Sequence, residues 1–134
     1  MQMTNEKTRL YFIEKHAPRA LCHYAHAIEK HPYFCDKITC ISAADADFNL
    51  QLNRQVLGAA ERNGNAEAID VIDCELSEAV QAYTHGDTSA AVEELYDCIA
   101  VCLRTIDVLE GRQKLGKHET ISGDGAGESR KVKQ

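Results

Sequence analysis

The sequence has no tryptophan, only two prolines and few aromatic residues, which make up 6% of the chain. This composition favours helices, because proline breaks helix interiors and aromatic residues are enriched in strands. No apolar run approaches the roughly 20 residues that a membrane-spanning helix needs. The first nine residues are polar and lack the apolar region of a signal peptide. We therefore expect no membrane partner and a cytoplasmic location.

Positive charge is also in short supply. The chain has 15 Lys and Arg residues against 21 Asp and Glu residues, and its formal net charge is −6. Non-specific binding to nucleic acid needs a basic surface, so we expect no nucleic-acid partner. The 44% apolar and 27% charged content is that of an ordinary globular protein with a real core.

The six cysteines include no CxxC pair. Cys74, Cys98 and Cys102 lie inside apolar helical patterns, where cysteine usually acts as a small buried hydrophobe. A disulfide framework is not expected in a chain of this size, so we predict reduced thiols. Residues 22–40 contain several histidines and cysteines, but their spacing matches no zinc pattern well. We interpret that segment as a helix surface followed by a loop.

Helical periodicity runs through most of the chain. We predict a first helix from near Thr4, and Pro18 either ends it or opens a second helix that continues through Ile28. Ser42 is a plausible cap for a third helix that stops near Asn63-Gly64. The predicted apolar set of this third helix is Phe48, Leu52, Val56 and Leu57.

Two further helices are predicted at about 66–84 and 88–112, joined by a short turn at Gly86. Because the turn is short and the apolar stripes match, these helices should be adjacent and antiparallel. We therefore predict an all-α helical bundle over residues 1–116, in which this hairpin carries the functional motif (65–115). The glycines among polar residues after Lys117 predict a disordered tail over 117–134.

Four carboxylates are placed symmetrically about Gly86. Glu78 and Glu94 each lie eight residues from the glycine, and Glu75 and Asp97 each lie eleven residues from it. In a hairpin, Glu78 then faces Glu94, and Glu75 faces Asp97. Residues three apart share a helix face, so the four negative groups converge and need cations, and hard divalent cations prefer oxygen ligands. The alternative, that both pairs are solvated surface acids, stays open at this point.

The stretch Cys74-Glu75-Leu76-Ser77-Glu78, followed after the turn by Glu94-Leu95-Tyr96-Asp97, resembles the ExxE…ExxD pattern of the all-α nucleoside triphosphate pyrophosphohydrolases. That superfamily includes the MazG-like proteins, the dimeric dUTPases and the phosphoribosyl-ATP pyrophosphatases. The fifteen residues between Glu78 and Glu94 fit the usual spacing, and the apolar continuation over 98–103 is similar to the second motif helix. Members often carry an acid where this chain has Cys74.

The resemblance implies an Mg²⁺-dependent hydrolase, with Mn²⁺ as a substitute, that cleaves a nucleoside triphosphate between its α and β phosphates. The products are a nucleoside monophosphate and pyrophosphate. By the same resemblance, Glu75, Glu78, Glu94 and Asp97 hold the metal, and Glu75 is our choice of general base. Small members assemble so that neighbouring subunits complete the active site, which implies a homodimer or homotetramer.

Basic residues that follow the motif are candidates for binding the substrate phosphates. Arg104 lies seven residues after Asp97 on the same helix face, and Lys114 and Lys117 lie near the predicted helix end. Two other interpretations remain open. The chain can be an inactive helical interaction protein on the same scaffold, or a non-catalytic regulator that binds metal or nucleotide. No feature of the sequence selects a base or a sugar.

Overall fold

The computed structural model describes residues 2–34 and 36–111. The described elements are five α-helices and one π-helical segment, in the order α1 (Gln2–Tyr11), the π-helical segment (Phe12–His16), α2 (Ala17–Lys30), α3 (Ala43–Arg62), α4 (Ala68–Thr84) and α5 (Thr88–Leu109). No strand occurs within these ranges, so the predicted all-α helical fold is confirmed.

The chain forms two compact units that meet in sequence between Ile38 and Thr39. The N-terminal unit contains α1, the π-helical segment and α2, and the C-terminal unit contains α3, α4 and α5. The predicted domain boundary at 116 and the predicted tail over 117–134 lie outside the described residues and stay predictions. No helix in the described ranges combines the length and the apolar character that crossing a membrane requires.

The N-terminal unit continues its helix through Pro18 by widening the backbone just before it. In a regular α-helix, proline removes one hydrogen bond and its ring meets the carbonyl four residues earlier. Here the N–H of Ala17 donates to the carbonyl of Phe12, five residues back, and Pro18 occupies the first turn of α2. Of the two predicted outcomes, Pro18 therefore opens the second helix.

Helix α3 begins where its cap was predicted. The hydroxyl of Ser42 accepts a hydrogen bond from the N–H of Asp45 at 3.0 Å, and the helix ends at Arg62, next to the predicted Asn63-Gly64 stop. This bond satisfies one of the backbone N–H groups that a helix N-terminus leaves without a partner.

The apolar face predicted for α3 was largely wrong. Phe48, Leu52 and Val56 are 63%, 47% and 49% exposed, whereas Ala46 and Leu50 are each 1% exposed. Helix α3 carries apolar residues on two sides, and the side with the larger residues is not the buried one. The buried side presents alanine and leucine to α4, and of the predicted set only Leu57 is part-buried.

The hairpin of α4 and α5 matches its prediction. Helix α4 ends at Thr84, Gly86 adopts a left-handed φ of +85°, and Asp87 caps α5 by accepting a hydrogen bond from the N–H of Ala90 at 2.9 Å. The two helices are adjacent and antiparallel, and α4 packs against α3 on another side. Three helices thus surround a core of small side chains, whose buried apolar members are Ala46, Leu50, Cys74, Ala79 and Ala91.

Candidate metal centre

The helical hairpin brings three of the four predicted acids together. Glu75 and Glu78 project from α4 and Glu94 projects from α5, and one carboxylate oxygen of each lies within 4.8 Å of the others. All three side chains are part-buried at the edge of the interface between the helices. Glu78 and Glu94 come from facing helices, as the symmetric spacing about Gly86 predicted.

The spacing of these oxygens suits a small hard cation. Mg²⁺ binds oxygen ligands at about 2.0–2.1 Å, so two ligands on opposite sides of the ion are about 4.2 Å apart. The three oxygens lie within 4.8 Å of one another, which is near that separation. Part-burial leaves room for the water and phosphate oxygens that complete an octahedral shell.

The surroundings of the cluster disfavour the ionised form of two of its carboxyl groups. Burial raises the pKa of Glu75, and the nearby charges of Glu78 and Asp97 raise it further. Burial is also the largest cause of the raised pKa of Glu94, and the same two neighbours add to it. Both carboxyl groups thus bind protons more readily than in water, and a divalent cation would relieve the same repulsion.

Asp97 is close to this group but does not join it. Its side chain is exposed, and its carboxylate is outside the set of oxygens within 4.8 Å. Its charge still contributes to the raised pKa of both Glu75 and Glu94. The arrangement is therefore three converging ligands with a fourth acid at the margin.

Cys74 takes the position where members of the resembled family often carry an acid. It is 4% exposed, and burial together with the charge of Glu78 raises the pKa of its thiol. The thiol stays protonated and packs as a core residue, so it adds no ligand to the cluster. Among the described residues, Cys22, Cys40, Cys98 and Cys102 are also free thiols, as predicted.

Arg54 of α3 is a site residue that sequence reasoning missed. Its Nη2 lies 2.9 Å from Oε2 of Glu78, and the two side chains are 58% and 27% exposed. Contacts between α3 and α4 depend on the register of the two helices. No register of α3 against α4 was predicted from the sequence, so Arg54 was not paired with Glu78.

Further polar contacts hold α3 against α4 beside the cluster. Asp47 accepts hydrogen bonds from Gln81 at 2.9 Å, and its carboxylate lies 2.7 Å from Nε2 of His85. The hydrogen bond with His85 is the largest cause of the lowered pKa of Asp47. The side-chain amide of Asn53 donates to the hydroxyl of Ser77 at 2.6 Å. These bonds fix α3 in register, so Arg54 is held opposite Glu78.

A cleft and a groove open beside the cluster. The cleft has a volume of about 460 Å³ and is lined by residues of all three helices, including Arg54, Glu78, Glu94 and His85. The groove, of about 490 Å³, follows α3 past Gln51, Gln55 and Gly58, and it shares Arg54 and Gln81 with the cleft. Both volumes fall in the range of roughly 300–1,000 Å³ that is typical of small-molecule sites.

The predicted phosphate-binding residues are not brought to this cleft by the described structure. Arg104 is exposed and lies ten residues beyond Glu94, or about 15 Å along α5 at 1.5 Å per residue. Lys114 and Lys117 lie outside the described residues. The roles assigned to these three residues stay predictions.

Comparisons with protein-family models, with curated proteins and with solved structures found no match to this chain. The likeness to the pyrophosphohydrolases therefore rests on the motif residues of the sequence.

Proposed function

We propose that the protein is an Mg²⁺-dependent nucleoside triphosphate pyrophosphohydrolase, which cleaves between the α and β phosphates to release a monophosphate and pyrophosphate. The observation that carries the proposal is the convergence of Glu75, Glu78 and Glu94 within 4.8 Å across the α4–α5 hairpin. Carboxylates on exposed helix faces normally avoid one another, and here three of them meet at the edge of a cleft.

The acids would bind the cation. Glu75, Glu78 and Glu94 would supply oxygen ligands, and Asp97 at the margin would be the fourth ligand, as the resemblance implies. When bound, the cation neutralises phosphate charge and lowers the pKa of the attacking water. Mn²⁺ prefers similar oxygen ligands and can replace Mg²⁺ in such a site.

Glu75 is the proposed general base. Its pKa is raised in the metal-free protein, and a carboxylate that is not fully used in coordination can accept the proton of the attacking water. It would orient a water and accept its proton as the phosphorus–oxygen bond forms. Arg104 and Lys114 are kept as proposed contacts of the phosphate chain, by resemblance.

The substrate would lie along α3. The cleft beside Glu78 and Glu94 takes the phosphates, and the adjoining groove offers the side-chain amides of Gln51 and Gln55 to the nucleoside. Amides can both donate and accept hydrogen bonds with the edge of a base. Gly58 and Arg62 also line this groove.

The deciding experiment is a screen for pyrophosphate release over all ribo- and deoxyribonucleoside triphosphates with Mg²⁺. We expect release with at least one of them, and its loss when a chelator removes the metal. Nucleotide binding without release would point to a non-catalytic regulator. Neither metal nor nucleotide binding would point to a helical interaction protein on the same scaffold.

A second test asks whether the acids act as a metal site. We expect Mg²⁺ to raise the melting temperature of the wild type but not that of Glu94→Gln. Without metal the variant should be as stable as the wild type or more so, because removing one charge relieves the repulsion among the others. A structural ion-pair network would behave oppositely, since losing one member leaves its partner unpaired.

The measurement is a pair of melting curves for each protein, with Mg²⁺ and with chelator. An unchanged wild-type midpoint on adding Mg²⁺ would show that the acids are structural.

A further inference from the structure

Arg54 pairs with one of the carboxylates that the cation of the proposed function needs. Its guanidinium makes a 2.9 Å ion pair with Glu78, one of the three converging carboxylates. Arginine is a strong binder of both carboxylates and phosphates, because its planar fork donates parallel hydrogen bonds to either group. In the structure it partly balances the negative charge of the cluster from the α3 side.

A divalent cation could replace Arg54 on Glu78 at little cost in stability. The side chain of Arg54 is 58% exposed, so it can leave Glu78 without disturbing the core, and an exposed pair of this kind contributes little stability. A divalent cation on Glu78 would compete for the same carboxylate and repel the guanidinium. Arg54 and Glu78 line the same cleft, so the released guanidinium still faces the space where phosphates would lie.

We propose that Arg54 is a substrate-binding residue that gives up Glu78 when the cation binds and then contacts a phosphate group of the substrate. The proposal rests on the proposed function and adds that metal binding controls when Arg54 is available to the substrate. In the metal-free protein Arg54 pairs with Glu78, and metal binding would free its guanidinium for a phosphate group. Metal and polyphosphate should therefore bind cooperatively.

The exchange predicts effects of opposite sign from one substitution. In Arg54→Gln the competing cation is gone, so Mn²⁺, as an EPR-visible probe, should bind about two- to fivefold more tightly. The same variant loses a phosphate contact, so the Mn²⁺ complex of inorganic triphosphate should bind about tenfold more weakly by calorimetry. Inorganic triphosphate carries the phosphate chain without a base, so the unknown base preference does not matter.

Two further variants control the experiment. Arg54→Lys keeps the positive charge but loses the fork, so it should restore the weak metal binding and only part of the triphosphate binding. Arg9→Gln removes an arginine from another exposed ion pair, with Glu6 at 3.2 Å within α1, and should change neither affinity. A general effect of lost positive charge would instead change the affinities of Arg9→Gln as well as those of Arg54→Gln.

Three outcomes separate the two proposals. Tighter Mn²⁺ and weaker triphosphate binding in Arg54→Gln support the exchange. A second outcome is that the wild type binds Mn²⁺ and releases pyrophosphate while Arg54→Gln matches it in both affinities or binds metal more weakly. That result overturns the exchange and leaves the proposed function standing. A wild type that binds no Mn²⁺ overturns both.

Discussion

At the scale of single residues, two of the three acids in the cluster have a raised pKa, and the causes rank in the same order for both. Burial comes first for Glu75 and for Glu94, and the charges of their neighbours follow. Glu78 instead meets the guanidinium of Arg54. The cluster is therefore not uniformly negative, and its α3 side carries a replaceable positive charge.

The raised pKa of Glu94 gives a pH prediction with a definite sign. A carboxyl group whose folded pKa exceeds its ordinary value near 4.5 stabilises the fold below that value and loses this contribution as the pH rises through the folded pKa. In metal-free protein, Glu94→Gln should therefore gain stability relative to the wild type between about pH 4.5 and 8. The gain should stay under about 1 kcal/mol, because part-exposed charges are screened.

The measurement is the difference in the free energy of urea unfolding between the two proteins at several pH values. The lowered pKa of Asp47 acts in the opposite direction below pH 4, but it is common to both proteins and cancels. Adding Mg²⁺ should reverse the sign, because the metal favours the ionised carboxylate. If Glu94→Gln instead becomes less stable than the wild type as the pH rises without metal, Glu94 has a stabilising cationic partner.

At the scale of elements, local signals predicted the ends of helices better than their faces. Ser42 and Asp87 cap α3 and α5 through the hydrogen bonds that their residue types suggest, and Gly86 takes the left-handed conformation of the turn. These features depend on a few neighbouring residues. The buried face of α3 depends on which of two apolar sides meets α4, and that choice is made by packing across the chain.

The turn gives an element-scale prediction. Gly86→Ala should destabilise the protein by about 1–2 kcal/mol, because a side chain in the left-handed region strains the backbone. A Cβ at Gly86 would meet no atom within 4 Å, so the cost is one of backbone conformation alone. Gly86→Asn should cost less, since asparagine tolerates this region better.

The matched control is Gly58→Ala, inside α3. There the new Cβ would lie 3.4 Å from Nη1 of Arg62, a flexible neighbour, and alanine favours the helix by about 0.5–1 kcal/mol. Chemical unfolding of the two variants should therefore shift in opposite directions. Equal shifts would mean that the turn does not need its glycine.

At the scale of the whole molecule, the sequence predicted the hairpin that brings three acids together and missed the contact of the third helix with Glu78. The carboxylates could be placed by counting residues from Gly86 along each of the two helices that flank the turn. The Arg54–Glu78 contact joins residues 24 apart on different helices, and only the packed structure pairs them. Asp47 and His85 are joined across the same two helices for the same reason.

The predicted homodimer or homotetramer needs an interface, and we choose the exposed face of α3 to test it. Phe48, Leu52 and Val56 follow one another at four-residue spacing and are 63%, 47% and 49% exposed. A stripe of this kind on a helix is typical of a surface that another helix covers. We therefore expect light scattering at micromolar concentration to give a mass at least twice 14.9 kDa.

The stripe itself can be tested with one charge. Leu52→Glu should dissociate the assembly, because it places an unpaired carboxylate inside the covered face, yet it should leave the subunit folded since Leu52 is 47% exposed. Asn5→Glu adds the same charge at an exposed position on α1 and should keep the mass of the wild type. A wild type that remains at 14.9 kDa contradicts the assembly. A Leu52→Glu variant that keeps the larger mass places the interface on another face.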